Sequence, residues 1–173
     1  MKNWDSEILI IFSLFITLLF VFMETILFVC KANVGRSQIA EWLYNNQNYN
    51  TSIAISIAWS EARKEKYNGQ PAEEIVSFLK NYRWIDISHQ SIKYVTDINQ
   101  WVLAHISKII FLYDPVENKE CDDACKIAKD TPYEYFKNRW FCIQINPVPD
   151  PYETWKRWYQ GITNRIQEII AKL

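Results

Sequence analysis

The sequence predicts an α/β fold: a single domain with a four-stranded parallel sheet flanked by helices, behind an apolar N-terminal extension. Two observations lead to this prediction. Short β-rich runs alternate with runs of helical periodicity, a pattern typical of parallel sheets. The chain has 173 residues, of which 49% are hydrophobic and 23% charged, and this is the profile of one globular domain.

The expected strands are short and rich in β-branched or aromatic residues. They cover 26–29, 52–57, 108–113 and 141–145, and helices are expected over 37–44, 72–79, 96–105 and 153–173. In the last helix, apolar residues recur at spacings of three and four, which marks one buried face. These residues are Trp155, Trp158, Ile162, Ile166, Ile169 and Ile170.

The chain begins with an apolar extension. Residues 8–23 carry no charge, and as a helix they would span roughly 24 Å against a hydrocarbon core of about 30 Å. Met23 directly precedes the first expected strand. Two interpretations follow: a transmembrane anchor at the inner face of a membrane, or a start assigned too far upstream of a cytoplasmic domain. The expected division is therefore 1–22 and 23–173.

Composition excludes several classes of function. Lys+Arg total 19 and Asp+Glu total 20, so there is no positive excess for binding nucleic-acid phosphates. Three glycines are too few for the glycine-rich loops that bind dinucleotides or nucleoside triphosphates. The four cysteines and two histidines lack the spacing of a zinc site. We therefore expect no nucleic-acid partner, no metal and no cofactor.

The candidate catalytic residues lie where the first expected strand meets the first expected helix. Cys30 and Arg36 flank a loop that can wrap its backbone N–H groups around a tetrahedral anion, with the arginine gripping two oxygens. The positive field favours a thiolate, which attacks phosphorus or arsenic. The alternative is a buried cysteine beside a surface arginine. The residues expected to surround the anion are Lys31, Ala32, Asn33, Val34, Gly35 and Ser37, the last placed to donate a hydrogen bond to the thiolate.

This loop and three later segments resemble the low-molecular-weight protein-tyrosine-phosphatase superfamily, which includes thioredoxin-coupled arsenate reductases. The resemblance extends over essentially all of 23–173. Two departures concern the local backbone: Ala32 replaces the usual glycine, and Ser56, Ile57 and Ala58 replace Ser-Ala-Gly. The segments that carry the resemblance are 26–41, 84–91, 109–114 and 149–152.

The resemblance implies a general acid. Transfer of a phosphoryl group to Cys30 requires a proton for the leaving oxygen, and the resemblance assigns that proton to Asp150. It also implies that Tyr152 forms a wall against an aromatic substrate. Asp114, the competing aspartate before a proline, is interpreted as structural. The predicted function is hydrolysis of a phosphorylated protein, of the phosphotyrosine type, or of a small phosphomonoester, through a cysteinyl-phosphate intermediate.

Two alternatives stay open. A thioredoxin-coupled arsenate reductase would use Cys30 with Cys121 and Cys125, whose spacing puts both sulfurs on one face of a helix. Gly35 and Gln38 favour this branch of the resemblance, whereas Tyr113 occupies the position of the reductases' second cysteine. The other alternative is a domain that binds an anion without turnover, against which the intact nucleophile, arginine and acid argue.

Overall fold

The structure is a computed structural model that describes residues 24–47, 52–59, 67–113, 140–144 and 155–173. Strands and helices alternate through these residues, as the sequence predicts. In chain order the elements are β1 (Thr25–Cys30), α1 (Arg36–Gln47), β2 (Ile53–Ala58), α2 (Glu73–Arg83), a 3-10 turn (Val95–Asp97), α3 (Gln100–Ala104), β3 (Ile106–Tyr113), β4 (Trp140–Gln144) and α4 (Trp155–Ile170).

The described strands form one four-stranded sheet in the order β2-β1-β3-β4. Every neighbouring pair is parallel. The predicted α/β fold with a parallel sheet flanked by helices is therefore confirmed. Strand β1 pairs with β2 on one side and β3 on the other, so the chain reverses direction across the sheet beside β1. Open α/β sheets bind ligands at the carboxyl ends of strands at such a point.

The core lies on both faces of the sheet. All six residues of β1 are buried, because side chains alternate between two covered faces. On one face, Ile26 and Phe28 pack in a cluster with apolar residues of α1, α2 and α4. On the other face, Leu27 and Val29 pack with Leu103 of α3 and residues of β3. Of the expected buried face of α4, the described side chains Ile162, Ile166, Ile169 and Ile170 are buried.

The helix expected over 96–105 forms only in its second half. Ile98 has an extended backbone (φ −93°, ψ 132°) between the 3-10 turn and α3. The Asp97 carboxylate accepts a hydrogen bond from the Tyr94 backbone N–H at 2.9 Å. This bond is part of a capping box that begins the 3-10 turn at Tyr94, and the turn ends at Ile98 before α3 begins. The apolar periodicity of the sequence therefore does not reveal the break in the helix at Ile98.

The transmembrane helix expected over 8–23 is corrected by the structure. No helix in the described part of the chain is long and apolar enough to cross a membrane. The longest described helix, α4, has 16 residues, whereas a span needs about 20 apolar ones. The run 8–23 itself lies outside the described residues. The expected transmembrane helix is therefore not supported, and the division at Met23 stays a prediction.

Helix α2 ends at a tryptophan with left-handed backbone. Trp84 has φ 57° and ψ 26°, and its N–H donates to the Leu79 carbonyl. The N–H of Ile85 donates to the same carbonyl at 3.2 Å. Glycine is the usual residue at this helix-ending position because it has no β-carbon. The Trp84 side chain is 89% exposed, so packing does not offset the steric cost.

Replacing Trp84 by glycine is expected to raise the free energy of unfolding by about 1 kcal/mol, since glycine adopts this backbone without strain. Equilibrium unfolding in guanidinium chloride measures the change. Trp84→Ala is the matched control, because it removes the indole and keeps the β-carbon, and it should change stability by less than about 0.5 kcal/mol. A destabilised glycine variant would contradict the argument.

Asp86 holds the turn that follows. Its carboxylate accepts a hydrogen bond from the Ser88 backbone N–H at 3.0 Å and pairs with Lys80 at 3.0 Å. Hydrogen bonds from Ser88, and then Lys80, hold the pKa of the Asp86 carboxyl well below its usual range. A lowered pKa contributes stability above the ordinary pKa, and that contribution is lost as the pH falls. Solvent screens the effect at this exposed site.

Candidate active site

The candidate active site is the loop between β1 and α1, at the carboxyl edge of the sheet. Cys30 is the last residue of β1 and is only 3% exposed. Arg36 begins α1 and is half-buried. The Gly35 carbonyl accepts the first helical hydrogen bond, from Ile39, at 2.8 Å. The loop therefore leads from the end of a central strand directly into a helix N-terminus, whose partial positive charge favours an anion.

Asn33 organises the interior of the loop. It is fully buried and has a left-handed backbone with φ 50°, which asparagine tolerates better than most residues. Its Nδ2 donates to Ser37 Oγ at 2.8 Å and to Ser56 Oγ at 2.8 Å. Its Oδ1 accepts from the Lys93 backbone N–H at 2.8 Å. Three partners from three segments thus hold the amide in one orientation.

The hydroxyl of Ser37 lies beside the thiol. Ser37 Oγ is 3.0 Å from Cys30 Sγ, and both residues are buried. Because Ser37 Oγ already accepts a hydrogen from Asn33, its own hydrogen is available to donate to the sulfur. Donation to sulfur stabilises a thiolate, which is the nucleophilic form of cysteine.

An ion pair completes the network on the other side of Asn33. The Lys93 ammonium donates to both carboxylate oxygens of Glu41, at 2.9 and 2.8 Å. The same carboxylate accepts from the Ser56 backbone N–H at 2.9 Å and from the Ser56 hydroxyl. A continuous series of hydrogen bonds therefore connects Lys93 and Glu41, through Ser56, Asn33 and Ser37, to the sulfur of Cys30.

Backbone hydrogen bonds tie the loop to its surroundings. The Trp59 N–H donates to the Cys30 carbonyl at 3.1 Å, and the Ala72 N–H donates to the Val34 carbonyl at 3.3 Å. The Ala58 N–H donates to the Lys93 carbonyl at 2.7 Å. The segment around Lys93 is therefore bound to the end of β2 as well as to Asn33.

The structure brings three of the predicted site residues into direct contact: Cys30, Asn33 and Ser37. Lys31, Ala32, Val34, Gly35 and Arg36 occupy the connecting loop and the helix start. Asp150, Tyr152, Cys121 and Cys125 lie outside the described residues, so their roles stay predictions. Within the described ranges, no group of three or more His, Cys, Asp or Glu residues could hold a metal ion.

Sequence reasoning missed three residues of the network. In the sequence, Ser56 stands out only as part of a departure from the family pattern, and Glu41 only as the last residue of the segment 26–41. Lys93 had no signal of its own, because its partners Asn33 and Glu41 are distant in the sequence. A polar residue near the end of the second expected strand, Ser56, is the one hint that the sequence offers.

Comparisons with known proteins bear on the fold. No protein-family model matches the sequence, and no curated protein matches it. Among solved structures, the low-molecular-weight protein tyrosine phosphatase SP-PTP of Streptococcus pyogenes has a TM-score of 0.61 and 22% identity, with 87% of this chain and 93% of that chain covered.

Two further structures are similar. The Wzb protein of Vibrio vulnificus, solved in complex with benzylphosphonate, has a TM-score of 0.59 and 16% identity, covering 87% of this chain and 99% of that one. The thioredoxin-dependent arsenate reductase of Corynebacterium glutamicum has a TM-score of 0.55 and 19% identity, covering 87% of this chain and 61% of that one. The resemblance seen in the sequence is thus confirmed at the level of the fold, which is that of the low-molecular-weight protein tyrosine phosphatases and arsenate reductases.

Proposed function

We propose that the protein hydrolyses phosphomonoesters, with phosphorylated protein of the phosphotyrosine type as the substrate class, through a cysteinyl-phosphate intermediate. The observation that carries the proposal is the contact between Ser37 and Cys30 at the start of α1. A buried thiol that faces a hydroxyl donor, at the end of a parallel strand and the N-terminus of a helix, suits a nucleophile aimed at an anion.

The first step is transfer of the phosphoryl group. The Cys30 thiolate attacks phosphorus, the S–P bond forms, and the bond from phosphorus to the ester oxygen breaks. The Arg36 guanidinium binds two of the equatorial oxygens, and the backbone N–H groups of residues 31–36 surround the anion. Ser37 stabilises the sulfur as it leaves phosphorus in the second step, in which water attacks and inorganic phosphate is released.

Asp150 supplies the protons in this mechanism. It donates one to the leaving oxygen and later takes one from the attacking water. Strand β4 ends at Gln144, at the same carboxyl edge as Cys30, and Asp150 follows shortly afterwards in the sequence. The order of the strands is therefore compatible with an acid above the loop, and Tyr152 beside it would contact an aromatic ring.

The similar structures support the same chemistry. One is a protein tyrosine phosphatase, and another was solved with benzylphosphonate, a ligand that joins an aromatic group to a tetrahedral phosphonate. The similarity to an arsenate reductase favours one second candidate. In that reaction Cys30 would bind arsenate, and Cys121 or Cys125 would form the disulfide as arsenic is reduced and arsenite leaves.

The full chain, assayed in parallel against an aryl phosphate and against arsenate with reduced thioredoxin, separates these candidates. We expect release of inorganic phosphate from the ester and no thioredoxin oxidation that depends on arsenate. Arsenate reduction without ester hydrolysis would replace the proposed function by the second candidate. Phosphate binding with neither activity would indicate the anion-binding domain.

Asp150→Asn is expected to slow hydrolysis of an alkyl phosphate by about 10²-fold or more, the usual contribution of a general acid. An ester with an acidic leaving group needs less protonation and should lose less activity. Steady-state kinetics on the two ester classes measures the difference. Asp114→Asn, which changes the other aspartate that precedes a proline, is the matched control. Equal losses on both ester classes would assign the acid to another residue.

A further inference from the structure

We propose that Asn45 closes the outer edge of β2 against strand pairing, and that the partner which this edge fits is β2 of a second copy of the chain. β2 is the last strand on its side of the described sheet. The backbone N–H and C=O groups of an edge strand can bind a further strand unless other groups occupy them. Pairing at this edge is a property separate from the proposed function.

The sequence of β2 offers no protection of its own. The strand reads IAISIA, with no charge, no proline and no glycine, which is the composition of segments that pair with identical copies of themselves. Its register with β1 is unbroken along the whole strand, so no bulge twists the edge away from a second strand. Protection of this edge therefore depends on groups from other elements.

Asn45 of α1 supplies such groups. The Ile53 N–H donates to the Glu24 carbonyl on the side of β1, at 3.0 Å, so the N–H and C=O of Ala54 point to the outer side. There Asn45 Nδ2 donates to the Ala54 carbonyl at 3.0 Å, and Asn45 Oδ1 accepts from the Ala54 N–H at 2.7 Å. Facing residues of an antiparallel pair exchange the same two bonds. The carboxamide thus takes the place of a residue in a neighbouring strand.

The other outward N–H groups of β2 are occupied as well. The Ser56 N–H donates to the Glu41 carboxylate at 2.9 Å, and the Ala58 N–H donates to the Lys93 carbonyl at 2.7 Å. Asn45 differs from these partners because it binds both the donor and the acceptor of one residue and is itself exposed. Its replacement should therefore open the edge without disturbing the core.

Two identical β2 edges suit one another in an antiparallel pair with a two-fold axis at Ala54. Ala54 of each copy would then exchange two hydrogen bonds with its counterpart, as it does with Asn45. Because the strand carries no charge, no like charges would meet across the pair. Asn45 and a second copy therefore compete for the same two groups of Ala54.

Sedimentation velocity of the full chain at increasing concentration measures this competition. We expect Asn45→Ala to raise the dimerisation constant by about 10³-fold over the wild type, because two ordinary hydrogen bonds correspond to about 30-fold in an equilibrium constant and each copy is released from two. Asn46→Ala is the matched control, since it removes the neighbouring amide, which donates to the Trp42 carbonyl at 2.8 Å. It should change the constant less than about threefold. Equal constants for Asn45→Ala and the wild type would overturn the proposal.

Two further variants locate the pairing at β2. Asn45→Asp retains an acceptor for the Ala54 N–H, has no hydrogen for the carbonyl and adds a charge that opposes pairing, so it should dimerise no more than the wild type. Ile53→Lys in the Asn45→Ala background adds a charge to the same strand, at a position that is 36% exposed, and should abolish the dimer. A dimer that persists in either variant would place the interface elsewhere and overturn the proposal.

Hydrogen exchange at the Ala54 amide gives a measurement that needs no variant. In the wild type we expect exchange at least about tenfold slower than in an unstructured chain, because Asn45 holds this N–H. In Asn45→Ala the exchange should be faster at low concentration and should slow again as the dimer forms. Unprotected exchange in the wild type would overturn the proposal, even if Asn45→Ala does not fold.

Discussion

Cys30→Ser is expected to reduce turnover of an aryl phosphate by about 10⁶-fold, the scale on which loss of a nucleophile lowers enzymatic rates. A serine hydroxyl is far less ionised than a thiol at neutral pH and is therefore a much weaker nucleophile. Inorganic phosphate or vanadate should still bind, because the helix N-terminus, the loop backbone and Arg36 are unchanged. Steady-state kinetics measures the first effect, and calorimetric titration with vanadate measures the second.

Cys142→Ser in β4 is the matched control, since it makes the same replacement of sulfur by oxygen away from the loop, and it should keep turnover. Substantial hydrolysis by the Cys30→Ser variant would contradict the cysteinyl-phosphate mechanism. Loss of vanadate binding together with turnover would mean that the thiolate itself holds the loop in shape.

Asn33→Ala is expected to lower the free energy of unfolding by about 4 kcal/mol. The substitution removes three buried hydrogen bonds, worth about 1 kcal/mol each. It also puts alanine at φ 50°, a left-handed backbone that asparagine tolerates better because of its short polar side chain, and this costs about 1 kcal/mol more. Turnover should also fall, because Ser37 and Ser56 lose the donor between them. Equilibrium unfolding in urea measures stability, and aryl phosphate hydrolysis measures the rate.

Asn33→Gly separates the two causes of this loss. Glycine removes the same hydrogen bonds but adopts the left-handed backbone freely, so it should be about 1 kcal/mol more stable than the alanine variant. Equal stability of the two variants would show that the backbone conformation carries no cost. Stability close to the wild type in both would show that the network contributes little to folding.

The order of strands and helices could be predicted from the sequence, because hydrophobic periodicity directly reflects which faces are buried. β1 illustrates this: its unbroken apolar run predicts a strand covered on both faces, and every residue in it is buried. The ends of helices, and breaks within them, were less predictable. The extended Ile98 lies inside an expected helix, between a 3-10 turn and α3, and the apolar pattern runs unchanged across it.

The sequence by itself determined the loop between β1 and α1, because the strand, the loop and the helix that build it are contiguous from Ile26 to Glu41. Cys30, Asn33 and Ser37 are close in space since they are close in the chain. Only the tertiary structure decided what holds Asn33 in its left-handed conformation and which way its amide points. Those decisions belong to Ser56 and Lys93, which meet the loop through pairing of β2 with β1 and the bridge from Ala58 to Tyr94. Both residues also contact Glu41 of α1. Contacts between segments that are distant in the sequence arise from tertiary packing, so no local pattern of residues predicts them.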